Sequence, residues 1–153
     1  MGPLPVHAVH GIVRVAACGG ADPVRPGMRT RAEKGVKMIT RNGEREVERR
    51  GNMRGGTGTV QIEHWFRPEA FGAKVRLCAR LEIPPGGSIG THRHEAEDEI
   101  YLVLSGQGLI LENGRRIPVA AGDAVLTGKG GEHGVENPGD EPLILAAIIL
   151  LYA

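Results

Sequence analysis

The sequence has no apolar run long enough to cross a membrane as a helix; its longest, residues 143–152, is the length of a strand. It also has no segment with the periodicity of an amphipathic helix, and nothing that reads as a helix-turn-helix module. The net charge is only +1, so no overall field draws the chain to nucleic acid or anionic lipid. Two cysteines, Cys18 and Cys78, cannot make a disulfide framework, and both are expected reduced in a cytoplasmic protein. No motif occurs twice. These absences leave one soluble domain of 153 residues with no membrane and no nucleic-acid partner. What is abundant points to short strands and tight turns: 24 glycines and 10 prolines.

Residues 1–37 show no periodicity and are broken by Pro3, Pro5, Pro23, Pro26 and Gly19-Gly20. Their six basic residues face only Asp22 and Glu33, so residues 38–153 carry a net negative charge. We read 1–37 as an irregular, disordered and solvated extension, and 38–153 as the folded domain with its core in 57–152.

Residues 41–56 are charged and rich in glycine, a lead-in with one short strand. Residues 57–66 alternate as a strand, with Val60, Ile62 and His64 on one face. Residues 74–83 alternate most cleanly: Val75, Leu77, Ala79, Leu81 and Ile83 oppose Arg76, Cys78, Arg80 and Glu82. Residues 99–104 form another strand in which Glu99, Tyr101 and Val103 share a face. Asn113-Gly114 marks a two-residue hairpin turn between 107–111 and 115–120. Pro118 places the returning strand at an edge or a bulge. Short strands follow at 124–127 and 133–137. The run 143–152 suits a strand buried on both faces or sealed in a dimer.

The chemistry gathers in two stretches. In the first, Gly86 leads to His92 and His94, whose spacing puts both imidazoles on one face of an extended chain. Glu99 and Gly106 follow. In the second, Gly122, Gly128 and Gly130 lead to His133 and Asn137. Three imidazoles and one carboxylate suit a divalent first-row metal, and an octahedral ion held this way keeps about two positions open.

Both stretches resemble the signature motifs of the cupin family. The first motif is Gly, five residues, His-x-His, three or four residues, Glu, six residues, Gly; Gly86, His92, His94, Glu99 and Gly106 meet it. The second is Gly, five residues, Pro-x-Gly, two residues, His, three residues, Asn; Gly122, Gly130, His133 and Asn137 match, with Gly128 in place of Pro. The resemblance spans roughly residues 57–152. It implies an all-β double-stranded β-helix, the cupin jelly-roll barrel. It also implies one divalent transition metal per chain (iron, manganese, nickel, zinc or copper) held by His92, His94, Glu99 and His133.

A site of this kind acts on a small organic molecule by dioxygenation, decarboxylation, lyase chemistry or isomerisation. Alternatively it captures a small ligand without turnover, and fold alone does not choose. A metal-free sugar epimerase of the same fold is disfavoured by the four ligands. Tyr101 and His64 are the candidate catalytic groups: Tyr101 shares the face of Glu99, and His64 suits acid–base work near neutral pH. Arg76 and Arg80 either bind a carboxylate substrate or face solvent; solvent is the simpler reading. Glu95, Glu97 and Asp98 read as solvent-facing charges, Trp65 as packing. Small single-domain cupins usually pair, so a homodimer is expected.

Overall fold

A computed structural model describes residues 39–153. The extension over 1–37, with Cys18, lies outside the described residues. Ten strands follow in order: β1 (Val47–Gly51), β2 (Thr59–His64), β3 (Val75–Ile83), β4 (Ser88–Arg93), β5 (Glu97–Ser105), β6 (Gln107–Glu112), β7 (Arg115–Ala120), β8 (Ala124–Thr127), β9 (Glu132–Glu136) and β10 (Leu143–Leu151). Single 3₁₀ turns at Met53–Gly55 and Pro68–Ala70 are the helical elements among the described residues.

Two antiparallel sheets face each other. One runs β1-β2-β3-β10-β5-β8, the other β4-β9-β6-β7. Alternation in the sequence decides which side chains lie between them. Val60 and Ile62 from β2, Leu81 and Ile83 from β3, and Leu143 and Leu145 from β10 meet Ile89 and Val135 from the opposite sheet, all essentially buried. This is the jelly-roll barrel expected from the residues.

The local signals explain the connections. Asn113 and Gly114 both take positive φ, 50° and 73°, as the tight hairpin between β6 and β7 requires. Pro118 sits on β7, the edge strand of its sheet, where no ladder donor is missed. Gly106 has φ 81°, and a Cβ there would stand 2.7 Å from the Pro142 carbonyl, so the turn between β5 and β6 admits only glycine. Asn137 is buried and ties the β9–β10 connection together: its amide donates to the carbonyls of Ile83 and Glu141, and its Oδ1 accepts from Gly139 N–H.

Two details differ from the sequence reading. The extended chain through His92 is a strand of its own, β4, and β5 begins at Glu97, two residues before the expected start at Glu99. On β3 the pairing with β10 slips between Leu77↔Ile149 and Val75↔Leu150, leaving Arg76 as the extra residue of a bulge.

Candidate metal centre

The four ligand candidates come from both sheets. His92 on β4 and His133 on β9 are direct cross-strand partners. Glu99 enters from β5 in the opposite sheet, and His94 from the turn between β4 and β5. Their ligand atoms lie within 4.8 Å of one another. Glu99 Oε2 stands 2.9 Å from His133 Nε2, 3.1 Å from His94 Nε2 and 3.7 Å from His92 Nε2. The Nε2 atoms of His94 and His133 are 3.2 Å apart.

The outward nitrogens are each engaged. His92 Nδ1 donates to the Gly90 carbonyl at 2.9 Å. His94 Nδ1 donates to Glu97 Oε1 at 2.8 Å. His133 Nδ1 is paired with the Thr127 hydroxyl at 2.9 Å. A carbonyl and a carboxylate can only accept, so the rings of 92 and 94 carry a proton on Nδ1 and, in their neutral form, turn a bare lone pair inward. His94 Nε2 then faces Glu99 Oε2, acceptor against acceptor. Such a set is repulsive unless a cation lies among the donors, and the arrangement fits a divalent metal.

Glu99 is buried, which by itself opposes its charge. When the imidazoles of His133, His92 and His94 are protonated, as they can be in metal-free protein, their attraction outweighs burial and holds its carboxyl at about 2. Tyr101 is also buried, stacked on the His133 ring with centroids 4.9 Å apart. Burial first, then the Glu99 carboxylate, push its phenol well above the usual value, so it is a hydrogen-bond donor and not a base.

A cavity of about 230 Å³ opens onto the cluster from the barrel mouth. Met53, Ile62, Leu77, Leu81 and Ile149 form apolar wall, with His92, Glu99 and Tyr101 at the inner end. Its size suits a small molecule. His64 lines it too, with Nε2 3.6 Å from Glu48 and 3.4 Å from Arg67. Four arginines, Arg50, Arg54, Arg67 and Arg76, also line it.

The two arginines of β3 therefore part company. Arg80 stays on the outer face with Glu82 and Glu63, as the solvent reading has it. The bulge turns Arg76 into the mouth, where it forks onto Glu97. Glu97 is not a solvent-facing charge: it links Arg76 to His94, and the Arg76 hydrogen bonds lower its carboxyl below the usual range against the opposing pull of burial. The signal available in the sequence was an acidic residue three positions after His94. Trp65 is absent from the cavity lining.

The cupin domain model matches residues 79–149. An oxalate-binding protein from Thermotoga maritima is 44% identical over 119 residues, covering 78% of this chain and 98% of the relative. A solved structure described as a predicted oxalate decarboxylase from the same organism is 45% identical, with TM-score 0.71 over 74% of this chain and 99% of that one. The polyketide cyclase RemF from Streptomyces resistomycificus, 22% identical with TM-score 0.57 over 71% of this chain and 75% of that one, shares the fold. The chain belongs to the cupin family. Its His/Glu cluster could hold a metal.

Proposed function

We propose that this cupin binds a small dicarboxylate of the oxalate class at a divalent metal held by His92, His94, Glu99 and His133. The observation that carries the reading is the convergence of three imidazoles and a carboxylate at the inner end of a cavity that four arginines line. When bound, a divalent ion supplies a Lewis-acid centre for carboxylate oxygens. The protein's own groups do the rest. Arginine side chains attract and orient the anion, Tyr101 offers a phenol hydrogen bond at the inner end, and the apolar wall limits the size of what enters. The similarity to an oxalate-binding protein along nearly that protein's whole length supports the ligand class.

Turnover is the second reading, favoured by His64. Its side chain is only 9% exposed, lines the same cavity and lies between a carboxylate and a guanidinium, so it is placed to hold or move a proton. In that reading Tyr101 is the proton donor at the inner end. A second copy of the chain is the expected protein partner.

Elemental analysis of natively purified protein, followed by calorimetric titration with oxalate, tests the primary reading. One divalent ion per chain and saturable oxalate binding that disappears on chelation are expected. Metal-loaded protein that binds no small carboxylate would refute it. Formate, carbon dioxide or oxygen uptake from bound oxalate would move the assignment from capture to catalysis.

A further inference from the structure

Three of the four cavity-lining arginines are already neutralised. Arg50 forks onto Glu48 with bonds of 2.6 and 3.2 Å. Arg67 pairs with Glu46. Arg76 forks onto Glu97. Arg54 has no carboxylate partner among the described residues, and its charge is near enough to the buried Tyr101 phenol to be felt there.

The backbone holds Arg54 in a costly place. Its φ and ψ are 55° and 28°, left-handed for a residue with a Cβ, and Asn52 beside it is left-handed as well. A conformation of this kind costs about 1–3 kcal/mol and persists only where surroundings impose it. Here Asn52 N–H donates to Gly58 O, Gly55 N–H to Asn52 O and Gly56 N–H to Met53 O, while Met53 packs on the core. The Arg54 carbonyl lies so close over Gly90 that a Cβ at 90 would collide with it. Gly90 is also the residue whose carbonyl accepts from His92 Nδ1. One glycine thus seats both the turn carrying Arg54 and the ring of a candidate ligand.

We propose that Arg54 is the specificity-determining residue of the site, receiving the second carboxylate of a dicarboxylate and so selecting dianions over singly charged acids of similar size. This rests on the reading of the centre as a carboxylate site. A guanidinium fork matches a carboxylate edge to edge, and an unpaired one breaks no existing ion pair to take it. The three paired arginines set the field of the mouth without being free to bind.

The test compares oxalate with glycolate, which can also chelate through two oxygens but carries one charge. Calorimetry on zinc-loaded wild type, Arg54→Met, Arg54→Lys and Arg49→Met gives the ratio of the two dissociation constants in each. Arg49→Met removes the same charge from an exposed site on β1. We expect Arg54→Met to lower the oxalate preference about tenfold or more, Arg54→Lys to lower it part way, and Arg49→Met to leave it near wild type, all at unchanged zinc stoichiometry. An undiminished preference in Arg54→Met, or an equal fall in Arg49→Met, overturns the proposal while leaving the carboxylate site standing. Failure of wild type to bind either acid overturns both.

Discussion

His94 is held at both ring nitrogens, and the two contacts can be separated by substitution. Its Nε2 is a candidate ligand, while its Nδ1 is fixed by Glu97, itself fixed by Arg76. His94→Ala removes a ligand outright and is expected to lose most bound metal. Glu97→Ala leaves every ligand in place but frees the ring, and losses of about 10–100-fold in metal affinity follow from removing such a partner. Competition with a chromophoric chelator measures both; metal affinity equal to wild type in Glu97→Ala would show that Arg76 and Glu97 form only a surface pair. Glu99 carries a pH signature in metal-free protein. Its carboxyl sits at about 2 in the fold against an ordinary 4.5. Below pH 4.5 the unfolded chain therefore takes up a proton that the folded chain refuses, and the stability this carboxylate contributes, complete above 4.5, is lost as pH falls toward 2. Urea midpoints over that window, with chelator present, should fall less steeply for Glu99→Gln than for wild type.

Among the elements, the turn after β8 accounts for its own departure from the family pattern. Gly128 stands where the motif usually has proline, and the Asp98 side chain fills the space a Cβ at 128 would need, with the Asp98 Cα at 3.2 Å from that point. Asp98 accepts from the Tyr152 hydroxyl, which in turn accepts from Lys129 N–H. The glycine is thus matched to a contact that ties β5, this turn and the end of β10 together, and the turn is not loose. Gly128→Ala should destabilise by about 1 kcal/mol through overpacking, and adding Asp98→Ala should recover part of that loss, a coupling read from thermal melts of the two singles and the double. Additive losses would mean that Asp98 does not occupy the space. The same scale shows what the sequence could and could not reveal. Alternation located β3 and put Glu99 and Tyr101 of β5 on one face, because a period of two converts directly into a side, while β10 was legible as an unbroken apolar run. Motif spacing picked out the four side chains that converge, His92, His94, Glu99 and His133. Arg76 reaches the mouth only through a bulge that breaks the period, and Arg54 only through a left-handed turn, so neither orientation is written in a local pattern. Glu97 became a positioning residue only once β4, β5 and β3 were packed.

At the scale of the whole molecule, the two faces of the six-stranded sheet are unequal in what covers them. The inner face is closed by the other sheet. On the outer face the registered row Cys78, Ile148, Ile100, Leu126 runs across β3, β10, β5 and β8, and the next is Arg80, Ala146, Leu102 and Ala124, apolar except at its β3 end. Leu102, Leu104 and Leu126 are 40%, 42% and 67% exposed. β10 alternates apolar with apolar where a solvated sheet would alternate apolar with polar. Contiguous apolar surface of this kind marks an interface, and a two-fold axis would cover it by pairing the same patch from two copies. We therefore expect a homodimer at micromolar concentration, with light scattering giving twice the 16.3 kDa of the chain. Leu126→Asp and Leu102→Asp each place a charge in that contact and should weaken association by about 2 kcal/mol or more, shifting the mass toward the monomer. Because Ile100 and Leu102 point outward from the same strand that carries Glu99 and Tyr101 inward, the monomeric variants also report on the site. Unchanged metal stoichiometry in them would show that the centre is complete within one chain. A monomer mass for wild type would instead leave this apolar face unaccounted for and remove the two-fold assembly.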